Sequence, residues 1–263
     1  MLNTDDDAQR QLAQALQSID EYYRERGIFQ DRFGFGQTPA IVVVHESGRS
    51  MTVGRLIARG LNGQGLHTFL LQLPGYGARR VEPLEKDRIL GSLVQAIADV
   101  RRARDAVAAL PFTDTSRIGL QGTSLGGFVT ATVAGLDHGY YRTFILLAGG
   151  DLEYVIFHGT KDAAKLREKL ATAGVTEEQV KQTAKLVEPL RLAHRIDPQT
   201  TWLFSGQFDD VVPPRCSLAL AKAAALPTDH HIQLPADHYS GAIYLPQIMK
   251  QIETQMLGTP HQP

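Results

Sequence analysis

Ile118-Gly119-Leu120-Gln121-Gly122-Thr123-Ser124-Leu125-Gly126-Gly127-Phe128 is the stretch on which the rest of the chain is organised. Its first four residues read as the end of a buried strand, and residues 128–138 read as a helix. Between them Gly122-Thr123-Ser124-Leu125-Gly126 spells G-x-S-x-G. The spelling has a steric cause. A serine at a sharp strand-to-helix turn sits in strained backbone, and the flanking chain packs too closely for a Cβ, so glycine stands two residues away on either side. Such a turn lifts the Ser124 hydroxyl clear of the sheet. The helix that follows then aims its first N–H groups at any oxyanion formed there.

Around this turn the pattern is strand, helix, strand. Residues 40–45, Ala40-Ile41-Val42-Val43-Val44-His45, form a continuous β-branched run of the kind buried on both sheet faces. Residues 68–73, 143–148, 200–204 and 231–234 read as further strands. Helices are expected over 51–60 and over 87–110, the latter with Ile89, Leu93, Ile97 and Val100 on one side. Upstream, residues 5–26 place Leu12, Leu16, Ile19 and Tyr23 at helical spacing, and Phe29, Phe33 and Phe35 fall in a glycine-containing arm. Alternation over the whole length implies an α/β fold, a doubly wound and mostly parallel sheet. About fifty residues separate the strands ending near 148 and starting near 200, far more than a crossover needs. Helices at 161–171 and 177–192 fill that interval, the second opened by Thr176 and Gln179 in capping-box spacing. Lys165, Arg167, Glu168, Lys169, Glu177 and Lys181 read there as a solvated face. The expected organisation is an N-terminal helix and arm over 1–37, a main domain over 38–256 with a helical cap inserted at about 152–195, and a tail over 257–263.

Composition narrows the function classes. The chain has 263 residues, 43% hydrophobic and 21% charged, which suits one globular α/β domain. A formal net charge of −1 gives no electrostatic case for nucleic acid. Cys216 is the only cysteine, so no internal disulfide and no cysteine-based zinc spacing exist. The start, Met1-Leu2-Asn3-Thr4-Asp5-Asp6-Asp7, is acidic and lacks an apolar run, so a cytoplasmic location is expected. No stretch is long and apolar enough to span a membrane. No metal ligand spacing appears, the glycine-rich turn lacks the G-K-[ST] ending of a phosphate loop, and no cofactor is called for. The sequence carries no signal for oligomeric state.

With these pieces placed, residues 38–256 resemble the α/β-hydrolase family, serine esterase type. Besides the G-x-S-x-G turn, three stretches carry the resemblance. Gly206-Gln207-Phe208-Asp209-Asp210-Val211-Val212-Pro213 is similar to the strand-end segment that holds the family's acid. Leu234-Pro235-Ala236-Asp237-His238-Tyr239 is similar to the loop that presents its histidine, and Pro74-Gly75-Tyr76-Gly77 to its P-G-x-G loop. The order Ser124, Asp209, His238 is the family's order. The resemblance implies a triad in which His238 takes the serine proton and Asp209 orients the imidazole. The offset of three from Gly206 favours Asp209 over Asp210, and Asp237 reads as a turn former.

Leu125 N–H is one expected oxyanion donor. The second is Ser47 or Glu46, with Ser47 preferred, because His45-Glu46-Ser47 stands where the family usually has His-Gly. That spelling also resembles the dienelactone-hydrolase branch, in which a glutamate of this loop approaches the nucleophile. The branch has cysteine where this chain has Ser124, so only the expectation that Glu46 faces the site carries over. His45 reads as a satisfied core histidine. Tyr76 is placed either on the acyl pocket under the cap or as a plain loop aromatic, and Arg79 and Arg80 as solvated arginines rather than a carboxylate clamp. The expected activity is cleavage of a small-molecule carboxylic ester through an acyl-Ser124 intermediate, without a cofactor. Thioester, small-peptide or acyl-amide cleavage is the alternative, with a non-catalytic binding protein as the contrasting class. Prolyl-oligopeptidase-type peptidases usually carry a propeller ahead of the hydrolase domain; with only residues 1–37 before the sheet, peptidase ranks below esterase.

Overall fold

The computed structural model describes residues 37–80 and 86–258, so the helix and arm expected upstream and the end of the tail lie outside the described residues. Six strands form one parallel sheet: β1 (Thr38–Val44), β2 (His67–Leu71), β3 (Thr113–Thr123), β4 (Thr143–Leu146), β5 (Thr201–Gly206) and β6 (His231–Leu234), in the order β2-β1-β3-β4-β5-β6. Every residue of β1, β4 and β5 is buried, whereas β2 at one edge is half-buried throughout.

Alternation along each strand assigns the two faces, since successive side chains point to opposite sides. Ile41, Val43, Phe144, Leu146, Trp202 and Phe204 join α1 (Thr52–Gly63) and α8 (Leu245–Leu257) in one core. Helix α8 meets that face with Leu245, Ile248, Ile252 and Met256, one turn apart each time. On the opposite face Ala40, Val42, Val44, Ile118 and Leu120 pack with α2 (Lys86–Ala108) and α3 (Leu125–Leu136). Ile145 and Leu203 pack there with α7 (Pro214–Ala223). This is the doubly wound α/β sheet the sequence implies.

Between β4 and β5 the chain makes three helices, α4 (Leu152–His158), α5 (Asp162–Thr172) and α6 (Glu177–Val187). The first was not expected, and α6 ends five residues before the expected limit. Its stop is local. Glu188 is extended because the ring of Pro189 disfavours helical backbone in the residue before it, and Pro189 opens a 3-10 turn. The capping box is present: Thr176 Oγ1 accepts from Gln179 N at 3.3 Å, and Gln179 Oε1 accepts from Thr176 N at 3.0 Å. Thr176→Ala should therefore cost about 1 kcal/mol, read as a Tm lower by roughly 2–4 °C, and an unshifted melt would show the box to be idle.

Leu152, Val155, Ile156, Leu170, Val180 and Ala184 of the insertion belong to the same buried cluster as Phe128, Ile145 and Leu203 of the main body. One of the charges read as solvated is not: Arg167 turns inward, and its Nη1 donates to the Ile156 and Gly159 carbonyls at 2.7 and 2.8 Å. Those carbonyls sit at the C-terminal end of α4, where a cation is favourable.

Candidate active site

Ser124 has φ 52° and ψ −113°, a conformation that a residue with a side chain adopts only under constraint. The constraint is visible on both sides. Ser124 N–H donates to the Leu146 carbonyl at 2.8 Å, and its own carbonyl accepts from Phe128 N–H at 3.1 Å. A Cβ on Gly122 would run into the Gly126 carbonyl and Thr130 Oγ1, and one on Gly126 into the Val44 and His45 carbonyls. Helix α3 thus begins at Leu125, three residues earlier than the sequence suggests, and crosses β1 so closely that only glycine fits.

Three segments meet at the C-terminal end of the sheet. Ser124 Oγ lies 2.9 Å from His238 Nε2. His238 Nδ1 lies 2.7 Å from Asp209 Oδ2. The other carboxylate oxygen, Asp209 Oδ1, accepts from Val211 N–H at 2.9 Å and Val212 N–H at 2.8 Å. Asp209 is 4% exposed and His238 7%, so these hydrogen bonds form away from bulk water, where an unpaired charge would be costly. A carboxylate can only accept, so Nδ1 carries the proton and Nε2 presents its lone pair to the serine hydroxyl.

Neighbouring acids have other work. Asp210 Oδ1 pairs with Lys161 Nζ at 3.0 Å, and its carbonyl accepts from Thr160 N–H at 2.8 Å, so the start of α5 is stitched to the acid loop. Asp237 accepts from Tyr239 N–H and Ser240 N–H, each at 2.8 Å, and from Ser240 Oγ. These bonds shape the turn that carries His238 and hold the Asp237 carboxyl below its ordinary range. Cys216 offers no rival nucleophile: it is buried, and burial pushes its thiol up to about 12.

Leu125 is the first residue of α3, so its N–H has no acceptor within the helix and points toward the serine end. The facing loop is held in three ways. Glu46 borders the space in front of Ser124, but its carboxylate is turned to α1, with Oε1 accepting from Val53 N–H at 3.1 Å and Oε2 from Gly54 N–H at 3.0 Å. A carboxylate there complements the positive end of the helix. Residue 46 thus borders the space in front of Ser124, while its charge serves α1. Ser47 and Gly48 line the same space. His45 ties this loop to the next one, since its Nδ1 donates to the Glu46 carbonyl at 2.6 Å and its Nε2 accepts from Leu73 N–H at 3.1 Å. Fully buried and satisfied as a neutral ring, it has its pKa lowered by burial. The edge of Tyr76 packs on it, the two centroids 4.8 Å apart.

Two cavities flank the Ser124–Leu125 pair. One, of about 250 Å³, is lined by Ser124 and His238 together with Glu46, Ser47, Asp162 and Tyr239. The other, of about 430 Å³, lies between α2, the loop 73–79 and the insertion; Leu125 and Tyr76 border it, and Ser124 and His238 do not. Tyr76 therefore faces the chamber under the insertion, its phenol pushed up to about 12 by burial and by Glu46 and Asp162. Arg79 stands on that chamber's rim, but its Nη1 is held by Asp99 at 2.6 Å and by the Gln72 carbonyl at 2.8 Å. Asp162 and Tyr239 were not anticipated at the site. Asp162 lies in the insertion with no motif around it, and Tyr239 had adjacency to His238 as its only signal. Among the described residues no group of three or more His, Cys, Asp or Glu could hold a metal ion, and no helix is long and apolar enough to cross a membrane.

The prolyl oligopeptidase family matches this chain over residues 94–243, which is more than half its length. No curated protein matches. Among solved structures, a puromycin-hydrolyzing peptidase of Mycobacterium tuberculosis is 22% identical with a TM-score of 0.64, over 84% of this chain and 35% of that one. An acetyl xylan esterase from Paenibacillus sp. R4 is 19% identical with a TM-score of 0.64, over 84% of this chain and 77% of that one. The α/β-hydrolase GrgF from Penicillium sp. sh18 is 16% identical with a TM-score of 0.62, over 85% of this chain and 92% of that one. The chain thus spans about a third of the peptidase's length and most of the other two. At these identities the likeness is one of fold, and that fold is the α/β-hydrolase fold.

Proposed function

The chain belongs to the prolyl oligopeptidase family, and from that premise we propose that it is a serine hydrolase cleaving a small-molecule carboxylic ester through an acyl intermediate on Ser124. The observation that carries this reading is the unbroken run of contacts from Ser124 Oγ through His238 to Asp209, with the serine held at positive φ. His238 Nε2 takes the hydroxyl proton as Oγ attacks the substrate carbonyl. The oxygen that becomes negative is met by Leu125 N–H and by a second N–H from the facing loop, Ser47 in preference to Glu46. The imidazolium then gives its proton to the departing alkoxide, the Oγ–acyl bond remains, and the alcohol leaves. Water repeats the sequence with His238 again as base, freeing the acid and restoring Ser124. Asp209 stays ionised throughout, keeping the tautomer and stabilising the imidazolium. In this reading residues 152–195 act as the cap over the site.

Amide cleavage is the second reading, and family membership is what favours it. The same groups serve both reactions, and thioesters as well. An amide nitrogen must be protonated as it departs, whereas an alkoxide leaves more readily, so a triad that acylates from an amide also acylates from an ester. A fluorophosphonate probe should label Ser124, and p-nitrophenyl acetate should be turned over with a kcat/KM well above that for p-nitroacetanilide. Preference for the anilide would transfer the protein to the peptidase reading, and an unlabelled Ser124 would end both.

A further inference from the structure

The cavity onto which Ser124 and His238 open meets the insertion at a single lining residue, Asp162. It runs as a slot down the face of the sheet that carries α1 and α8, walled by Leu146, Phe204 and Leu234 of three adjacent strands, by Leu245 and Ile248 of α8, and by Val53 of α1. All of these except Val53 are among the buried core. Close-packed interiors keep few voids larger than a water molecule. Here one is kept, in the part of the core that touches the reacting groups, and its sheet wall is apolar apart from Thr123. That hydroxyl accepts from the buried Gln121 Nε2 at 2.9 Å.

Which half of an ester the slot receives follows from its wall. His238 must hand its proton to the leaving oxygen, so whatever that oxygen carries begins beside the imidazole. The imidazole lines the slot. Of the two oxyanion donors in this reading, Leu125 borders the chamber on the other side and Ser47 lines the slot. We propose that the slot is the leaving-group subsite and selects a compact, apolar alcohol such as a benzyl or branched alkyl group, the acyl chain lying toward the chamber under the insertion. Size favours a compact group: about 250 Å³ falls below the roughly 300–1,000 Å³ of pockets that hold drug-sized ligands. The assignment rests on the reading of Ser124 as nucleophile and His238 as acid–base. The chemistry is the acyl transfer above: the Oγ–acyl bond forms, the acyl–alcohol bond breaks, and the serine proton reaches the alcohol through His238.

Binding tests the slot without chemistry. In Ser124→Ala protein carrying labelled methyl groups, benzyl alcohol should give saturable NMR shifts at Val53, Leu245 and Ile248. Adding Val53→Phe or Ala242→Phe, which enter from different walls, should abolish them. In otherwise wild-type protein, either phenylalanine should lower the ratio of kcat/KM for benzyl acetate over methyl acetate by about tenfold or more. The ratio for methyl hexanoate over methyl acetate should move by less than about twofold. Shifts confined to chamber residues such as Leu152 and Val180, no saturable shift at all, or a fall in the acyl ratio instead of the alcohol ratio would each overturn the assignment. Failure of fluorophosphonate to label Ser124 would sink the hydrolase reading and leave the binding arm to judge the slot by itself.

Discussion

Ser124→Ala is expected to lower kcat for p-nitrophenyl acetate by about four to six orders of magnitude, the range seen when a triad nucleophile is removed, and to abolish fluorophosphonate labelling. The fold should not notice. Alanine at φ 52° is no more strained than serine there, the neighbouring backbone hydrogen bonds to Leu146 and Phe128 remain, and the hydroxyl's partner, His238, keeps its bond to Asp209. A melting temperature near the wild type's, together with lost turnover, therefore separates chemistry from stability. Turnover by the alanine variant at a rate close to wild type would place the nucleophile elsewhere.

Asp209→Asn should cost about 10⁴-fold in kcat, by a route that geometry makes explicit. Two backbone donors, Val211 and Val212 N–H, converge on Oδ1, whereas one donor, His238 Nδ1–H, meets Oδ2. The amide oxygen of asparagine goes where two donors need it, because the opposite orientation would set an NH₂ against two N–H groups. That leaves the NH₂ facing Nδ1, which can stay in place only as an acceptor. The imidazole proton then moves to Nε2, and the lone pair that would take the Ser124 proton is gone. Asp210→Asn is the matching control. Its carboxylate is half-exposed and bound to Lys161, so kcat should change far less. Equal losses in the two variants would mean that charge near the loop, rather than the tautomer, governs the rate.

Much of this site was legible in the sequence for identifiable physical reasons. A strand buried on both faces writes a run such as residues 40–44, and a turn too tight for a Cβ writes Gly122 and Gly126. The offset to Gly206 points to Asp209 over Asp210, and in the structure Asp209 lies beside the imidazole while Asp210 turns to Lys161. What escaped depended on contacts between distant segments. Helix α4 has seven residues and no periodicity long enough to declare itself. Gly126 and Gly127 read as turn residues, which delayed the expected start of α3, although the demand on Gly126 comes from β1. Glu46 lies in the expected loop, yet only the placement of α1 decides that its carboxylate caps a helix. The division between the two cavities is likewise unwritten in any local pattern, since β3 to β6, α1, α8 and the insertion all contribute to one wall.

The stitch between Thr160, Lys161 and Asp210 has a mechanical consequence. Lys161 itself is bent to φ 49° to make it, and its ammonium also lies 5.1 Å above the Tyr239 ring, beside the histidine. Raising the front of α5 away from the sheet breaks the bonds to Asp210 and tugs on the residue next to the triad acid. The front of α5 and the loop that carries Asp209 are thereby one mechanical unit, coupled through a backbone bond and an ion pair, so a shift of either is felt by the other.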